Sequence, residues 1–380
     1  MKTDCVTQIK EWVLVSIIVP LLVLFLLCLD VGFFMAEVMA QNLSRGTPKE
    51  VICGEELGPG GYYKLANDLL CSCDKSDPNG KPGKPALTIV GPVTVDLNGK
   101  NIACEPCDAY QCGYGTSFSI AGIHVKGERA TVRNGTIIRC NVGLVAGEVD
   151  DLYEEGHHKI TNVRVLESQE VQYDVGVDDN GEVICNNFKG DGIVFESTHN
   201  FAGRNELLGN QNDGIDLKAG FNLIKNNSSI GNGGRGYNLD GDHNWSIWNQ
   251  TLKNINEGIE IKNGVYIRVI NNLSIANGID GIKVGKGAKF SSIKFNKAIA
   301  NGERGILVKE SATENSINFN QAIANEQEGI RVDEGATDNS IKFNKAIFNG
   351  EKDLRDKNDD CDNNTWRWNT YGTKKPDCIQ

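Results

Sequence analysis

The sequence is short of aromatic residues, of positive charge and, over one long stretch, of cysteine. Aromatic residues make up 7% of the 380 residues, whereas there are 43 glycines. Together with abundant asparagine, this composition favours turn-rich β structure over helices. The 39 Lys and Arg residues are outnumbered by 50 Asp and Glu residues, and the formal net charge of −11 disfavours nucleic acid as a partner. Cysteine is absent from residues 191–349, which excludes disulfides from that stretch.

The cysteine-free stretch alternates two phrases seven times. The first is a glycine followed by apolar-x-apolar, as in Gly214-Ile215-Asp216-Leu217. The second is an asparagine with an aliphatic residue three positions later. These asparagines are Asn205, Asn227, Asn249, Asn272, Asn296, Asn320 and Asn344. Nine residues separate each of the first six from the next glycine, whereas the segment from glycine to asparagine grows from 13 to 15 residues.

This periodicity predicts an elongated solenoid with three short strands per coil. Leucine-rich repeats have a similar period, but they need a leucine-dense consensus that is missing here. Within the glycine phrase, the apolar residues should face the core and the x residue should face outward. Asparagine tolerates left-handed backbone and bonds its own turn, so the seven asparagines are predicted to stack as a structural ladder inside the coil.

An apolar run of 18 residues, at positions 12–29, precedes the repeats. Its length lies between that of a signal-peptide core and that of a membrane span. Small residues before Gln41 offer a cleavage site. We therefore expect residues 1–40 to be a signal peptide or an N-terminal membrane anchor, and the membrane to be contacted only through them. The rest of the chain should be secreted, periplasmic or on the cell surface.

Ten of the 12 cysteines follow this run, and in an oxidising compartment they favour disulfides over metal binding. The spacing of Cys104, Cys107 and Cys112 leaves a zinc site as the alternative. We expect an N-terminal cap over residues 41–86, the solenoid over 87–352, with degenerate copies up to residue 190, and a C-terminal cap over 353–380. In the last cap, Cys361 and Cys378 are predicted to form a disulfide that seals the core.

Several phrases are typical of one group of proteins: Val95-Asp96-Leu97-Asn98-Gly99, the segment 130–137, the glycine and asparagine repeats, and the Cys-Asp-Asn-Asn-Thr-Trp tail from Cys361. Over residues 87–375 they resemble right-handed parallel β-helix proteins of the pectate-lyase-like superfamily, most closely its NosD-like, carbohydrate-binding and sugar-hydrolase repeat proteins. The resemblance implies an all-β, single-stranded right-handed parallel β-helix with cysteine-rich caps, and carbohydrate as the ligand. It implies no particular reaction, because such proteins include lyases, hydrolases, epimerases and adhesins.

Charged residues gather at the outward positions of the central coils. Adjacent carboxylates raise one another's pKa, and such a group supplies an acid and a base or binds Ca²⁺, the one candidate cofactor. The candidate ligand-binding residues are Asp213, Asp216, Arg235, Asn238, Trp245, Glu257, Glu260 and Lys262. The alternative is a solvated face on which unlike charges of neighbouring strands pair.

The candidate catalytic residues are Tyr237, Asp240 and His243. They are residue types that β-elimination enzymes and uronan epimerases use to move a proton. Gly241 and Asp242 separate Asp240 from His243, which departs from the Asp-Pro-His motif of alginate epimerases. Adjacent histidines at 157 and 158 leave copper binding as an alternative to a solvated loop, but no metal site is predicted.

The leading hypothesis is a monomeric extracytoplasmic β-helix protein that binds or acts on a polysaccharide or other glycan. A polysaccharide lyase, uronan epimerase or glycoside hydrolase is the alternative, so whether the protein is an enzyme stays open. A structural or adhesive surface protein is the third hypothesis.

Overall fold

The computed structural model describes residues 47–71, 85–104, 121–147, 156–177 and 183–380. The apolar N-terminal run, Cys107 and Cys112 lie outside the described residues. Among the described residues, no helix has the length and apolar character that crossing a membrane requires. The helical structure there is a single 3-10 turn at Asp359–Cys361.

Three short strands per coil build three parallel sheets, called sheets A, B and C in chain order. Sheet A has 13 strands. They are Glu55–Leu57, Leu87–Val90, Ala121–Lys126, Val142–Ala146, Ile193–Phe195, Ile215–Leu217, Tyr237–Leu239, Ile259–Ile261, Ile282–Val284, Ile306–Val308, Ile330–Val332, Leu354–Asp356 and Lys374–Lys375.

Sheets B and C share two long strands, Thr131–Ile138 and Lys159–Leu166, which run through both. The other strands of sheet B are Tyr62–Lys64, Thr94–Asp96, Phe201–Gly203, Leu223–Lys225, Trp245–Ile247, Arg268–Ile270, Ser292–Lys294, Ser316–Asn318, Ser340–Lys342 and Thr365–Arg367. The other strands of sheet C are Leu69–Cys71, Asn101–Cys104, Glu206–Leu208, Ser228–Ile230, Gln250–Leu252, Leu273–Ile275, Lys297–Ile299, Gln321–Ile323, Lys345–Ile347 and Thr370–Tyr371.

One segment departs from the coil. Glu170–Val177 and Val183–Lys189 form an antiparallel pair, and sheet A continues from Val142–Ala146 directly to Ile193–Phe195. The interpretation of this segment as degenerate coil copies is therefore wrong. Alternation of apolar and polar residues identifies a strand, but it does not identify the direction of the neighbouring strand.

Coil pairing extends beyond the predicted limits of residues 87 and 352. Glu55–Leu57 pairs in parallel with Leu87–Val90, and Leu354–Asp356 pairs with Lys374–Lys375. Disulfides lie at both ends, joining Cys53 to Cys71, Cys104 to Cys140 and Cys361 to Cys378. The all-β solenoid with cysteine-bearing ends is thus confirmed, with the first and last coils inside the segments expected to be caps.

The repeated glycine leaves room for the neighbouring coil. A Cβ added at Gly305 would lie 2.6 Å from the carbonyl oxygen of Gly329 and 2.7 Å from the Cβ of Ala322. Both distances are shorter than van der Waals contact, so each coil approaches the next through backbone alone at this corner. The following Ile306 and Val308 are fully buried in the core.

Asparagines form a hydrogen-bonded ladder between sheets B and C. In it, Asn227 Oδ1 accepts hydrogen bonds from the main-chain N (2.9 Å) and the Nδ2 (3.0 Å) of Asn205, one coil earlier. Asn227 Nδ2 donates to the carbonyl oxygen of Ala202 at 2.9 Å. The same pattern continues to Asn344, so from Asn205 to Asn344 this buried corner of the coil has its polar groups satisfied.

Two more ladders, which the sequence interpretation did not include, lie at the other two corners. One lies five residues earlier and is interrupted at Ile267; its two parts are Asn200, Asn222 and Asn244, and then Ser291, Asn315, Asn339 and Asn364. The other begins five residues later and consists of Asn210, Asn232, Asn254, Asn277, Asn301, Asn325 and Asn349. Asparagines that recur five residues before and five residues after the predicted column could have indicated these two ladders in the sequence.

Candidate functional site

The outward residues of sheet A form a column because its strands are in register. Asp216 pairs with Asn238, Asn238 with Glu260, and Glu260 with Lys283. Apolar outward residues, Val194 and Leu307, border this polar segment on the two sides. Four consecutive coils thus carry an uninterrupted polar segment of the column, and Arg331 and Arg355 continue the column beyond Leu307.

Arg235 connects three coils of this face. Its Nη1 lies 3.3 Å from Asp213 Oδ2, its Nε lies 3.6 Å from Glu257 Oε2, and it also contacts Glu260. In the next coil, Lys283 Nζ lies 2.9 Å from a carboxylate oxygen of each of these two glutamates. The two bases and three acids form one network in which every charge has an opposite neighbour, so it holds the coils in register.

In these central coils the cation is the more exposed partner of each ion pair. The side-chain exposure is 44% for Lys218 against 4% for its partner Glu196, and 27% for Arg235 against 2% for Asp213. Lys262 lies 3.2 Å from Asp240, and its side chain is 50% exposed whereas that of Asp240 is 30% exposed. The face therefore presents ammonium and guanidinium groups above a layer of carboxylates.

Two carboxyl groups at one end of the network have pKa values raised toward neutrality. Burial, followed by the charges of Asp216 and Asp213, raises the pKa of Asp191 to about 7. Burial also raises the pKa of Asp213 to about 6, although hydrogen bonds from Arg235 and its charge oppose the shift. Asp191 Oδ1 accepts hydrogen bonds from the main-chain N of Asp213 (2.9 Å) and from Asn212 Nδ2 (2.6 Å). A third raised pKa, about 7, belongs to Asp280, where burial is again the main cause.

The structure does not bring the three candidate catalytic residues together. Tyr237 is fully buried, and its hydroxyl donates to the carbonyl oxygen of Gln250 at 3.0 Å. Burial raises the pKa of this phenol well above its usual range. A role for Tyr237 in surface chemistry is incompatible with this position, because it occupies the inward place that isoleucine holds in other coils.

His243 and Trp245 also lie apart from the column. His243 sits at the corner before sheet B with its ring stacked between Phe221 (4.6 Å) and Tyr266 (5.1 Å). Trp245 belongs to a strand of sheet B, and the Arg268 guanidinium carbon lies 4.4 Å from its ring centroid. Asp240 is therefore the one candidate catalytic residue on the face of sheet A.

The described residues bring together no group of three or more His, Cys, Asp or Glu side chains that could hold a metal ion. The adjacent histidines His157 and His158 lie in different environments. His158 is buried, its Nδ1 accepts from the main-chain N of Ala130 at 3.2 Å, and burial lowers its pKa to about 4. His157 is exposed and stacks on His199 at 5.0 Å, so the two imidazoles do not converge on one ion.

Residues 191–346 match the family model described as the right handed beta helix region. That match and the three-sheet parallel coil confirm the right-handed parallel β-helix fold that the sequence predicts. No curated protein sequence is significantly similar to this chain.

Solved structures with the same fold include two epimerases. The periplasmic alginate epimerase AlgG has a TM-score of 0.60 at 15% identity, over 86% of this chain and 78% of that chain. The A-module of the mannuronan C-5 epimerase AlgE6 from Azotobacter vinelandii has a TM-score of 0.50 at 14% identity, over 85% of this chain and 91% of that chain. At these identities the similarity establishes the fold.

Proposed function

We propose that the protein binds a carbohydrate polymer along the outer face of sheet A, outside the cytosol. A row of cations in successive coils carries the proposal: Lys218 and Lys262 are exposed, and Arg235 and Lys283 are half-buried. Coils repeat about every 4.8 Å, so a polymer lying along the solenoid meets a charged donor at each coil. Ammonium and guanidinium groups donate charge-assisted hydrogen bonds to sugar hydroxyls and carboxylates.

Two further observations support the ligand class and the compartment. The epimerases that share the fold are named for alginate and mannuronan, which are carbohydrate polymers. The three disulfides of the described residues favour an oxidising compartment. Because carboxylates lie beneath the cations, recognition depends on hydrogen-bond geometry more than on net charge.

Binding is tested with the full-length chain on immobilised polymannuronate, polygalacturonate and a neutral glucan. Lys262→Gln removes an exposed donor whose partner Asp240 is also solvent-accessible, so the fold should persist. We expect several-fold weaker retention on the bound polymer. Lys253→Gln makes the same charge change at the corner after sheet C and should bind like the wild type. Retention on none of the polymers would refute the proposal.

Acid–base turnover of the glycan is a second candidate function, favoured by the raised pKa of Asp213 and Asp191. A carboxyl group whose pKa is raised toward neutrality can act as a general acid. Turnover would appear as unsaturated uronide, new reducing ends or an altered epimer ratio. Asp213→Asn should then abolish turnover and keep binding, whereas Tyr237→Phe should keep both. No product from any of the three polymers would exclude this function.

A further inference from the structure

The outer surface of sheet C carries a nine-residue segment in three nearly identical copies. The copies are 295–303 (FNKAIANGE), 319–327 (FNQAIANEQ) and 343–351 (FNKAIFNGE). Each copy places a phenylalanine at the corner before sheet C, then a lysine or glutamine and an isoleucine on the outward face of the strand. The inward residue between them is a fully buried alanine. The repeated surface is therefore built mainly of apolar side chains.

This surface, called the sheet C stripe, is exposed. Its phenylalanines at 295, 319 and 343 are 44% to 52% exposed, and Phe348 is 81% exposed. Half-buried aliphatic residues continue it toward earlier coils through Leu208, Ile230, Leu252 and Ile275. Contiguous apolar surface of this kind marks an interaction site.

The aromatic rings of the stripe do not suit sugar stacking. Neighbouring rings are parallel, with centroids 5.2 Å apart for Phe295 and Phe319 and 4.9 Å apart for Phe319 and Phe343. Trp368 continues the stack at 4.8 Å. Each ring covers the face of the next, so ring edges point to solvent. Edges and isoleucines fit the apolar surface of a protein better than a pyranose ring.

The two flanks of the stripe carry opposite charges. Lys297 and Lys345 are exposed on the side of sheet B, whereas Glu326 and Glu351 are exposed at the turn that follows sheet C. Glu303 takes the same acidic place in the first copy. Over the three copies the stripe is thus apolar in the middle, basic along one edge and acidic along the other, whereas Glu206 and Lys253 reverse these signs in earlier coils.

We propose that a second copy of this chain docks on the sheet C stripe, with a twofold axis parallel to the solenoid axis, in place of the monomer expected from the sequence. This axis sets each coil opposite the same coil of the other copy and exchanges the flanks, so basic edge meets acidic edge. A twofold axis across the stripe would instead set basic edge against basic edge. Charge complementarity therefore selects both the partner and its orientation.

The dimer should be weak and reversible. Seven aliphatic rungs at about 4.8 Å spacing make the stripe roughly 30 Å long, and a strand with its corners makes it roughly 20 Å wide. The resulting area, about 600 Å² per subunit, is below the roughly 800 Å² of a standard stable interface. We expect dissociation in the micromolar range.

Cross-linking of the full-length chain in detergent tests the orientation. Ile299→Cys, Ile323→Cys and Ile347→Cys are made singly and treated with a short bis-maleimide. The proposed axis sets each cysteine near its own counterpart, so all three variants should give covalent dimers. Ser340→Cys on the outer face of sheet B and the wild type should not. A dimer from only one of the three positions would place the axis across the stripe, and a dimer from none would overturn the interface.

Charge exchange tests the flanks. Lys297→Glu with Lys345→Glu makes both edges acidic, and Glu326→Lys with Glu351→Lys makes both edges basic. Each double variant should self-associate at least tenfold more weakly than the wild type in sedimentation experiments, whereas an equimolar mixture should associate again. Failure of the mixture to associate would overturn the proposal. So would loss of the cross-link on adding a glycan, which would assign the stripe to carbohydrate. Neither experiment depends on the proposed glycan site of sheet A.

Discussion

At the scale of single residues, buried aspartates make the stability of the coil depend on pH. The pKa values of Asp191, Asp213 and Asp280 are raised in the folded state to about 7, about 6 and about 7. Since the unfolded chain releases these protons near pH 4, the folded state binds more protons between pH 4 and pH 7. The contribution of these groups is fully present below about pH 4 and is lost as the pH rises through the folded values.

Asp191→Asn should remove one part of this pH dependence. Asparagine keeps an acceptor oxygen for the main-chain N of Asp213 and cannot ionise. We expect the stability difference between variant and wild type to rise in favour of the variant from pH 4 to pH 8, by on the order of 4 kcal/mol, because the pKa is raised by about three units. Urea unfolding at the two pH values measures the difference. A difference between variant and wild type that does not change with pH would contradict the assigned cause.

The choice of Tyr237 as a catalytic residue rested on its residue type alone and was wrong. The repeat pattern already indicated that Tyr237 faces the core. Tyr237 follows Gly236 where Ile215 follows Gly214, which is an inward position. The same pattern predicted the outward column of Asp216, Asn238 and Glu260. The strands pair these residues in the predicted register. The raised pKa of Asp191 could not be predicted, because it depends on the burial and charge that neighbouring coils provide.

At the scale of the structural element, each ladder asparagine serves three coils. Replacing Asn227 by alanine removes its two donations, to Ala202 and Asn249, and the acceptor of two bonds from Asn205. Buried donors left without partners cost about 1 to 3 kcal/mol each. The energetic loss should therefore extend to the coils on both sides.

We expect Asn227→Ala to lower the free energy of unfolding by about 3 kcal/mol or more. The matched control is Asn226→Gly, one residue earlier, where the side chain is exposed and φ is 57°. Glycine adopts that backbone without strain, so the control should stay within about 1 kcal/mol of the wild type. Equal effects of the two substitutions in urea unfolding would show that the ladder bonds contribute little.

At the scale of the whole molecule, the period predicted the coil but not its ends or its interruption. The strict nine residues from asparagine to glycine contain the sheet C strand of each coil, and the rule holds from Asn205 to Gly329. The first coil, at Glu55–Leu57, and the hairpin from Glu170 to Lys189 carry no such phrase. The pairing of these strands depends on contacts with strands distant in sequence, and local periodicity cannot predict such contacts.

The last coil is closed by the disulfide between Cys361 and Cys378, whose sequence separation is 17. Cross-linking a loop of this length stabilises a protein by about 3 kcal/mol through the unfolded chain. Inside the loop, buried Trp366 donates its Nε1 hydrogen to Asp356 Oδ2 at 2.7 Å, which fixes the end of the core. Unfolding of this coil would expose the edges of three parallel sheets.

The double variant Cys361→Ser with Cys378→Ser should lose about 3 kcal/mol of stability and associate end to end. Because an exposed strand edge pairs with further chains without closure, the association should be open-ended and grow with concentration, unlike a closed twofold dimer. Urea unfolding and light scattering over a range of concentrations measure the two effects. A variant that unfolds like the wild type and stays the same size would show that the remaining contacts of Trp366 and Asp356 close the solenoid without the disulfide.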